Sequence, residues 1–361
     1  MRTSVYVCVR ASVAACLALA VLSSRAAEAQ GIWALEQHHY YDSVLSDPRA
    51  PQTTVLFPAK ADAFPFAVKD GSSLVWDLSV GAAIPILGFG SHRGTEDPTG
   101  VPPRGVGIGM WFPLSFHMIE DMGKDPSNPI LDTDYRFGGL VKTQFGLPIG
   151  GDGKALHSAH LGVKFQFGHE STHLGDEFEL GALREHQAEF VRVNVSYEYY
   201  DFGASFEPNF GKDGAQQIKI RAGNIWLWKP EKGWYSRELL QPFGSFIQGS
   251  SRNHEPYVQA EWKWQDAVGE DLSLVASFDA RNRTIYQYTP APDDTKTNPA
   301  EPTEWSLNTI VGVRQDRKGQ GLSGKITPTY YFRFYHGVNP NGQFRSQRGF
   351  TEFGFGVHFS L

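Results

Sequence analysis

The chain has 361 residues, of which 41% are hydrophobic, 13% aromatic and 20% charged, with a formal net charge of −6. That is too aromatic and too weakly charged for a disordered polypeptide, and two cysteines are too few for a disulfide scaffold. The acidic balance, with no basic stripe to neutralise phosphates, argues against nucleic acid as a partner.

Residues 1–29 read as a signal peptide. Arg2 and Arg10 form a basic start, Ala11 to Leu22 an apolar run, and Ala27-Glu28-Ala29 a small-x-small cleavage site. The run is too short to span a bilayer as a helix. Val13-Ala14-Ala15-Cys16 lies within it, which sets it apart from a lipoprotein cleavage box. Cleavage removes Cys8 and Cys16, so the mature chain has neither thiol chemistry nor disulfides. Residues 30–52, rich in His, Tyr, Asp and Pro, read as a periplasmic lead-in.

From residue 53 to 361 the chain alternates with period two, as strands with one apolar face do. Leu74, Trp76, Leu78 and Val80 alternate with Asp77, Ser79 and Gly81. Ile108, Met110, Phe112, Leu114 and Phe116 oppose Gly107, Gly109, Ser115 and His117. Tyr135 and Phe137 oppose Asp134 and Arg136; Val258, Trp262 and Trp264 oppose Gln259 and Lys263. The apolar face is strongly aromatic, whereas the other mixes glycine, serine and charge. This pattern predicts an all-β fold, a closed antiparallel transmembrane β-barrel with aromatics toward lipid and polar residues toward the lumen. Closure is required because an open sheet edge in lipid leaves backbone groups unpaired.

Phe353, Phe355, Val357, Phe359 and Leu361 then alternate with Glu352, Gly354, Gly356, His358 and Ser360. This resembles the terminal strand of Gram-negative outer-membrane barrels, although those usually end in Phe. The resemblance implies the cell outer membrane as location and the outer-membrane assembly machinery as a partner.

Strands are expected near 53–59, 74–90, 104–118, 130–147, 159–171, 187–199, 201–208, 216–228, 241–250, 256–265, 271–281, 305–315, 321–335 and 350–361. The barrel therefore has 12–14 strands, the first and the one at 241–250 being the least distinct. Gly269 and Lys318-Gly319 read as periplasmic turns, and 282–304 and 336–349 as external loops.

Nucleotide-binding loops and zinc motifs are absent from the sequence. The informative stretch is Lys164 to Glu177. Leu161, Val163, Phe165 and Phe167 share the lipid-facing parity, and His169 and Ser171 continue it. On the next strand Val191, Val193, Val195 and Tyr197 are expected to face lipid, with Glu189 in the same parity. A hairpin centred near residue 179 sets Glu189 opposite His169. An acid, an imidazole and a hydroxyl then meet on the outer wall: Ser171 as nucleophile, His169 as base, Glu189 as the group orienting the imidazole. His173 is an alternative base. The expected activity is hydrolysis of a lipid acyl ester, phospholipid or lipid A, with outer-membrane lipids as partners.

The His169-x-Ser171 element resembles that of outer membrane phospholipase A and of lipid A deacylases, in which His is the base and Ser the nucleophile. The phospholipase follows its Ser with Asn-Gly, whereas this chain has Thr172-His173. A second resemblance, to an uncharacterised bacterial family of outer-membrane barrels, is carried by Ser171 to Glu177 and by Asn341-Gly342-Gln343-Phe344. It implies fold and location and brings no activity.

Asp176 and Glu177 have the oxygen chemistry for a calcium ion, although a solvated acidic loop is the simpler account of them. The Trp226/Trp228 and Trp262/Trp264 pairs read as interfacial girdles. Lys219, Arg221, Arg192 and Arg333 fall on the lumen face, as solute-selecting charges of a passive channel or as paired charges of a plug. A non-catalytic channel or receptor barrel is the alternative to the hydrolase.

Overall fold

The computed structural model describes residues 30–34, 43–62, 72–91, 105–122, 130–147, 149–150, 155–175, 192–193, 195–211, 214–228, 236–237, 246–248, 253–285, 287–289, 303–316, 327–345 and 347–360. A short strand, β1 (Gln30–Ala34), precedes β2 (Thr53–Asp62), β3 (Ser72–Ser91), β4 (Val106–Asp121), β5 (Ile130–Gly146) and β6 (Leu156–Leu174). Then follow β7 (Val195–Phe210), β8 (Gln216–Trp228), β9 (His254–Gly269), β10 (Leu272–Thr284), β11 (Thr303–Gln315), β12 (Thr327–Gly337) and β13 (Phe350–Ser360). Among the described residues no helix is long and apolar enough to cross a membrane.

Strands β2 to β13 each pair antiparallel with their sequence neighbours, and β13 pairs back onto β2, closing a 12-stranded barrel. β1 adds to the part of β3 beyond β2, pairing Gln30 with Ser91 and Ala34 with Leu87. Two expected strands vanish from the count for different reasons. Residues 195–199 of the stretch expected at 187–199 and the whole of 201–208 belong to one strand, β7. Of 241–250 the structure describes only Phe246–Gln248, which pairs with Gln287–Thr289 outside the barrel sheet.

Alternation decides the two faces. Phe112, Phe137, Phe165, Phe202, Val311 and Phe355 are exposed on the outer surface. Their strand neighbours Trp111, Arg136, Gln166, Asp201, Ile310 and the backbone of Gly356 turn inward. A water-soluble barrel would reverse this distribution; lipid rewards it. The end at which β13 finishes is here called the base and the opposite end the top. Trp228 and Trp305 lie near the top, and Trp262 and Trp264 near the base. Aromatic residues thus flank the apolar band on both sides, as interfacial girdles do.

The lumen is filled from both ends of the sequence. Residues 43–52, within the stretch expected as a lead-in, run inside the barrel, with Val44, Leu45, Ser46, Asp47, Arg49 and Ala50 all buried. Side chains hold them there. Ser46 N donates to Ser277 Oγ at 3.0 Å, Asn308 Nδ2 donates to Ser46 O at 2.7 Å, and Arg281 Nη2 donates to Asp47 Oδ1 at 3.0 Å. From the top, the β12–β13 loop folds inward and buries Asn339, Asn341, Phe344 and Arg345. Leu45 and Phe344 join Val75, Ile119, Tyr331 and Phe350 in an interior apolar cluster.

Candidate functional site

The top of the outer wall over β5, β6 and β7 brings several polar side chains together. On β6 the parity is as expected: Phe165 and Phe167 face outward, and His169, Ser171 and His173 continue that face toward the top. The β6–β7 register pairs His169 with Glu198 and Ser171 with Ser196. On β7 Ser196, Glu198, Tyr200, Phe202 and Phe206 face outward, whereas Tyr197 and Tyr199 are buried inside. The expected outward parity of Tyr197 is therefore reversed. A tyrosine suits either face, and here the interior offers Tyr197 two arginines to bond.

Glu189, Asp176 and Glu177 lie outside the described residues. The acid that the register sets beside His169 is Glu198, because β6 runs to Leu174 and β7 starts at Val195. His169 Nδ1 lies 3.8 Å from Glu198 Oε1, and His169 Nε2 lies 3.5 Å from Ser196 Oγ. Ser171 Oγ is instead 3.3 Å from His173 Nε2. Aromatic rings bracket both imidazoles: Phe137 is 5.0 Å from His169 and Tyr135 is 5.8 Å from His173, centroid to centroid. Sequence spacing thus located His169 and Ser171 on one outward face, but missed Ser196 and Glu198. Both occupy register positions that only strand pairing across a long connection defines.

Of the lumen cations expected either to select solutes or to be paired charges of a plug, three are paired. Arg221 Nη2 lies 3.2 Å from Glu207 Oε1 and Lys219 Nζ 3.6 Å from Glu261 Oε1. Arg333 Nη1 sits 2.6 Å from Asp77 and 3.5 Å from Glu352. Arg192 belongs to a two-residue ribbon outside the barrel sheet. A cavity of about 50 Å³ remains between plug and wall, lined by Asp77, His117, Arg136, Asn308, Tyr331 and Arg333. It has room for roughly a water molecule or two. Among the described residues no three His, Cys, Asp or Glu side chains group as metal ligands.

The two sequence stretches that carry the broader resemblance meet in space. Gly342 N donates to Asp134 Oδ1 at 3.2 Å, and a Cβ on Gly342 would collide with the Thr172 side chain. A glycine is needed there for the loop to approach β5 and β6.

A closed antiparallel barrel with an apolar aromatic-flanked exterior and a charged interior defines the outer-membrane class of β-barrel. Residues 132–241 match the family described as "Protein of unknown function (DUF1207)". No curated protein matches the chain. Among solved structures the chain is similar to the transport unit of the autotransporter AIDA-I from Escherichia coli. The two are 10% identical over 89% of this chain and 93% of that one, with a TM-score of 0.41. Outer membrane phospholipase A from Escherichia coli is 11% identical over 90% of this chain and 95% of that one, with a TM-score of 0.41. The translocator domain of autotransporter NalP from Neisseria meningitidis is 8% identical over 88% and 91%, with a TM-score of 0.38.

Proposed function

We propose that the protein resides in a bacterial outer membrane with its top outward, and that its outer wall hydrolyses lipid acyl esters. One observation carries this reading. On the lipid-facing surface, His169 directs Nδ1 toward Glu198 at 3.8 Å and Nε2 toward Ser196 at 3.5 Å. That is the order acid, imidazole, hydroxyl that a serine nucleophile requires, with the loose distances of an unliganded site.

In this reading Ser196 Oγ attacks the acyl carbonyl while His169 Nε2 takes its proton. The same proton passes to the departing alcohol, and water then releases the fatty acid from Ser196 by the reverse relay. Glu198 holds the imidazole tautomer and balances the imidazolium. Ser171, the register partner of Ser196, is held by His173 and presents a hydroxyl beside the reacting carbonyl. The site opens sideways, so a lipid reaches it without leaving the bilayer.

The test is fatty-acid release from phospholipid and from lipid A in mixed micelles. Because the members act as a unit, Ser196→Ala and His169→Ala should lose comparable activity. Ser171→Ala should keep more. Release that persists in the Ser171→Ala/Ser196→Ala double variant refutes the hydrolase, as does a wild type that releases nothing from either lipid.

A further inference from the structure

Among the described residues, a dense cluster of buried charge lies where the interior segment crosses β6, β7 and β9. Arg49 enters a cage made by the wall. Its guanidinium carbon lies 5.3 Å from the centre of the Tyr199 ring and 5.9 Å from that of Tyr197. Nη2 donates to the Tyr197 hydroxyl at 2.9 Å and to Glu255 Oε2 at 3.2 Å, while Nη1 lies 3.3 Å from Glu170 Oε2. Glu170, Glu255, Tyr197 and Tyr199 are all buried. Two ring faces with two carboxylates suit a flat, delocalised cation, which stacks and forks at once; a compact ammonium cannot do both.

The wall is built around this site. Gly168 on β6 leaves the space the Tyr199 ring fills, since a Cβ there would collide with that ring. Gln166 Nε2 donates to the Tyr199 hydroxyl at 3.0 Å, and Thr284 N donates to Glu255 Oε1 at 2.9 Å. Neighbouring cations complete the set: Arg136 Nε lies 3.2 Å from Glu170 Oε2, and Arg345 of the top loop bonds both Glu255 and the Tyr197 hydroxyl.

The occupant has a different standing from its cage. The backbone hydrogen bonds Asp47 N to Val44 O and Ala50 N to Asp47 O are internal to the segment, and its bonds to the wall described above run through side chains. None of residues 43–52 takes part in a strand ladder, so the backbone pairing that closes the barrel does not run through the segment.

We propose that the lumen wall carries a guanidinium-binding site, formed by Tyr197, Tyr199, Glu170 and Glu255, that Arg49 fills in the closed barrel. When residues 43–52 leave, the site takes a guanidinium-bearing solute. Segment and solute compete for one cage, so the solute that the lumen recognises is also the one that favours opening. This reading is independent of the outer-wall hydrolase.

The test uses full-length protein in planar bilayers and in a heat-modifiability melt on gels, with methylguanidinium and methylammonium as probes. Arg49→Ala should melt at lower temperature than wild type and conduct more. Millimolar methylguanidinium should raise its melting temperature and block its current, with methylammonium at least about tenfold weaker. Adding Glu255→Gln to Arg49→Ala should abolish that rescue. Equal rescue by both cations, rescue that survives Glu255→Gln, or no rescue in a folded Arg49→Ala protein overturns the proposal. Should Arg49→Ala fail to fold, Arg49→Lys, which keeps a charge in the cage, is read by the same criteria.

Discussion

Phe355 gives the sharpest test of which face meets lipid. It is 59% exposed on β13 and stands five residues from either end of that strand. At about 3.4 Å per residue and a tilt near 45°, five residues climb about 12 Å, half of an apolar band about 25 Å tall. Phe355 therefore sits at the bilayer midplane. An arginine there costs about 2–4 kcal/mol, against about 0–1 kcal/mol near the interface. Trp305, 57% exposed and near the top of β11, supplies the interfacial comparison. Each site needs an alanine reference, because removing the aromatic ring has its own cost. The measurement is reversible denaturant unfolding in lipid vesicles followed by tryptophan fluorescence. Phe355→Arg should be less stable than Phe355→Ala by about 2–4 kcal/mol, while Trp305→Arg and Trp305→Ala should differ by about 1 kcal/mol or less. Equal Arg-minus-Ala differences at the two sites, or a Phe355→Arg protein as stable as Phe355→Ala, would refute the lipid-facing assignment.

Two further outcomes concern the interior. Gly168→Ala places a methyl against the Tyr199 ring, so unfolding in the same vesicles should show a loss of about 1–3 kcal/mol from overpacking. Asp47 in the interior segment is held at a pKa of about 2; burial raises it most strongly, but the Arg281 guanidinium beside it, together with Lys164, Gln259 and the Arg49 N–H, outweighs burial. Its pKa lies below the ordinary 3.8, so its contribution is complete above about pH 4 and disappears as the pH falls through about 2. The difference in stability between wild type and Asp47→Asn should accordingly shrink between pH 4 and pH 2, by about 2 kcal/mol; a difference independent of pH contradicts the tether to Arg281.

What the sequence determined by itself was everything that a period of two encodes. Phe112 beside Trp111, or Phe355 beside Gly356, places one residue in lipid and the next in the lumen wherever the strand goes, because successive side chains point to opposite faces. His169 and Ser171 were legible as outward for the same reason. Pairing across the connection between β6 and β7 was not, since a long loop leaves register free and only the closed sheet set Glu198 beside His169. Nor did local pattern reveal that Tyr197 and Tyr199 turn inward, because tyrosine suits lipid rim and polar interior alike. Residues 43–52 carry no strand periodicity, and their destination depended on a cavity that exists only after twelve strands have closed. Inside it, Arg49, Asp47 and Arg345 find carboxylates, a guanidinium and tyrosines contributed by strands far apart in the chain. Burial without such partners would be prohibitive, so the tertiary structure alone decided that this segment fills the lumen.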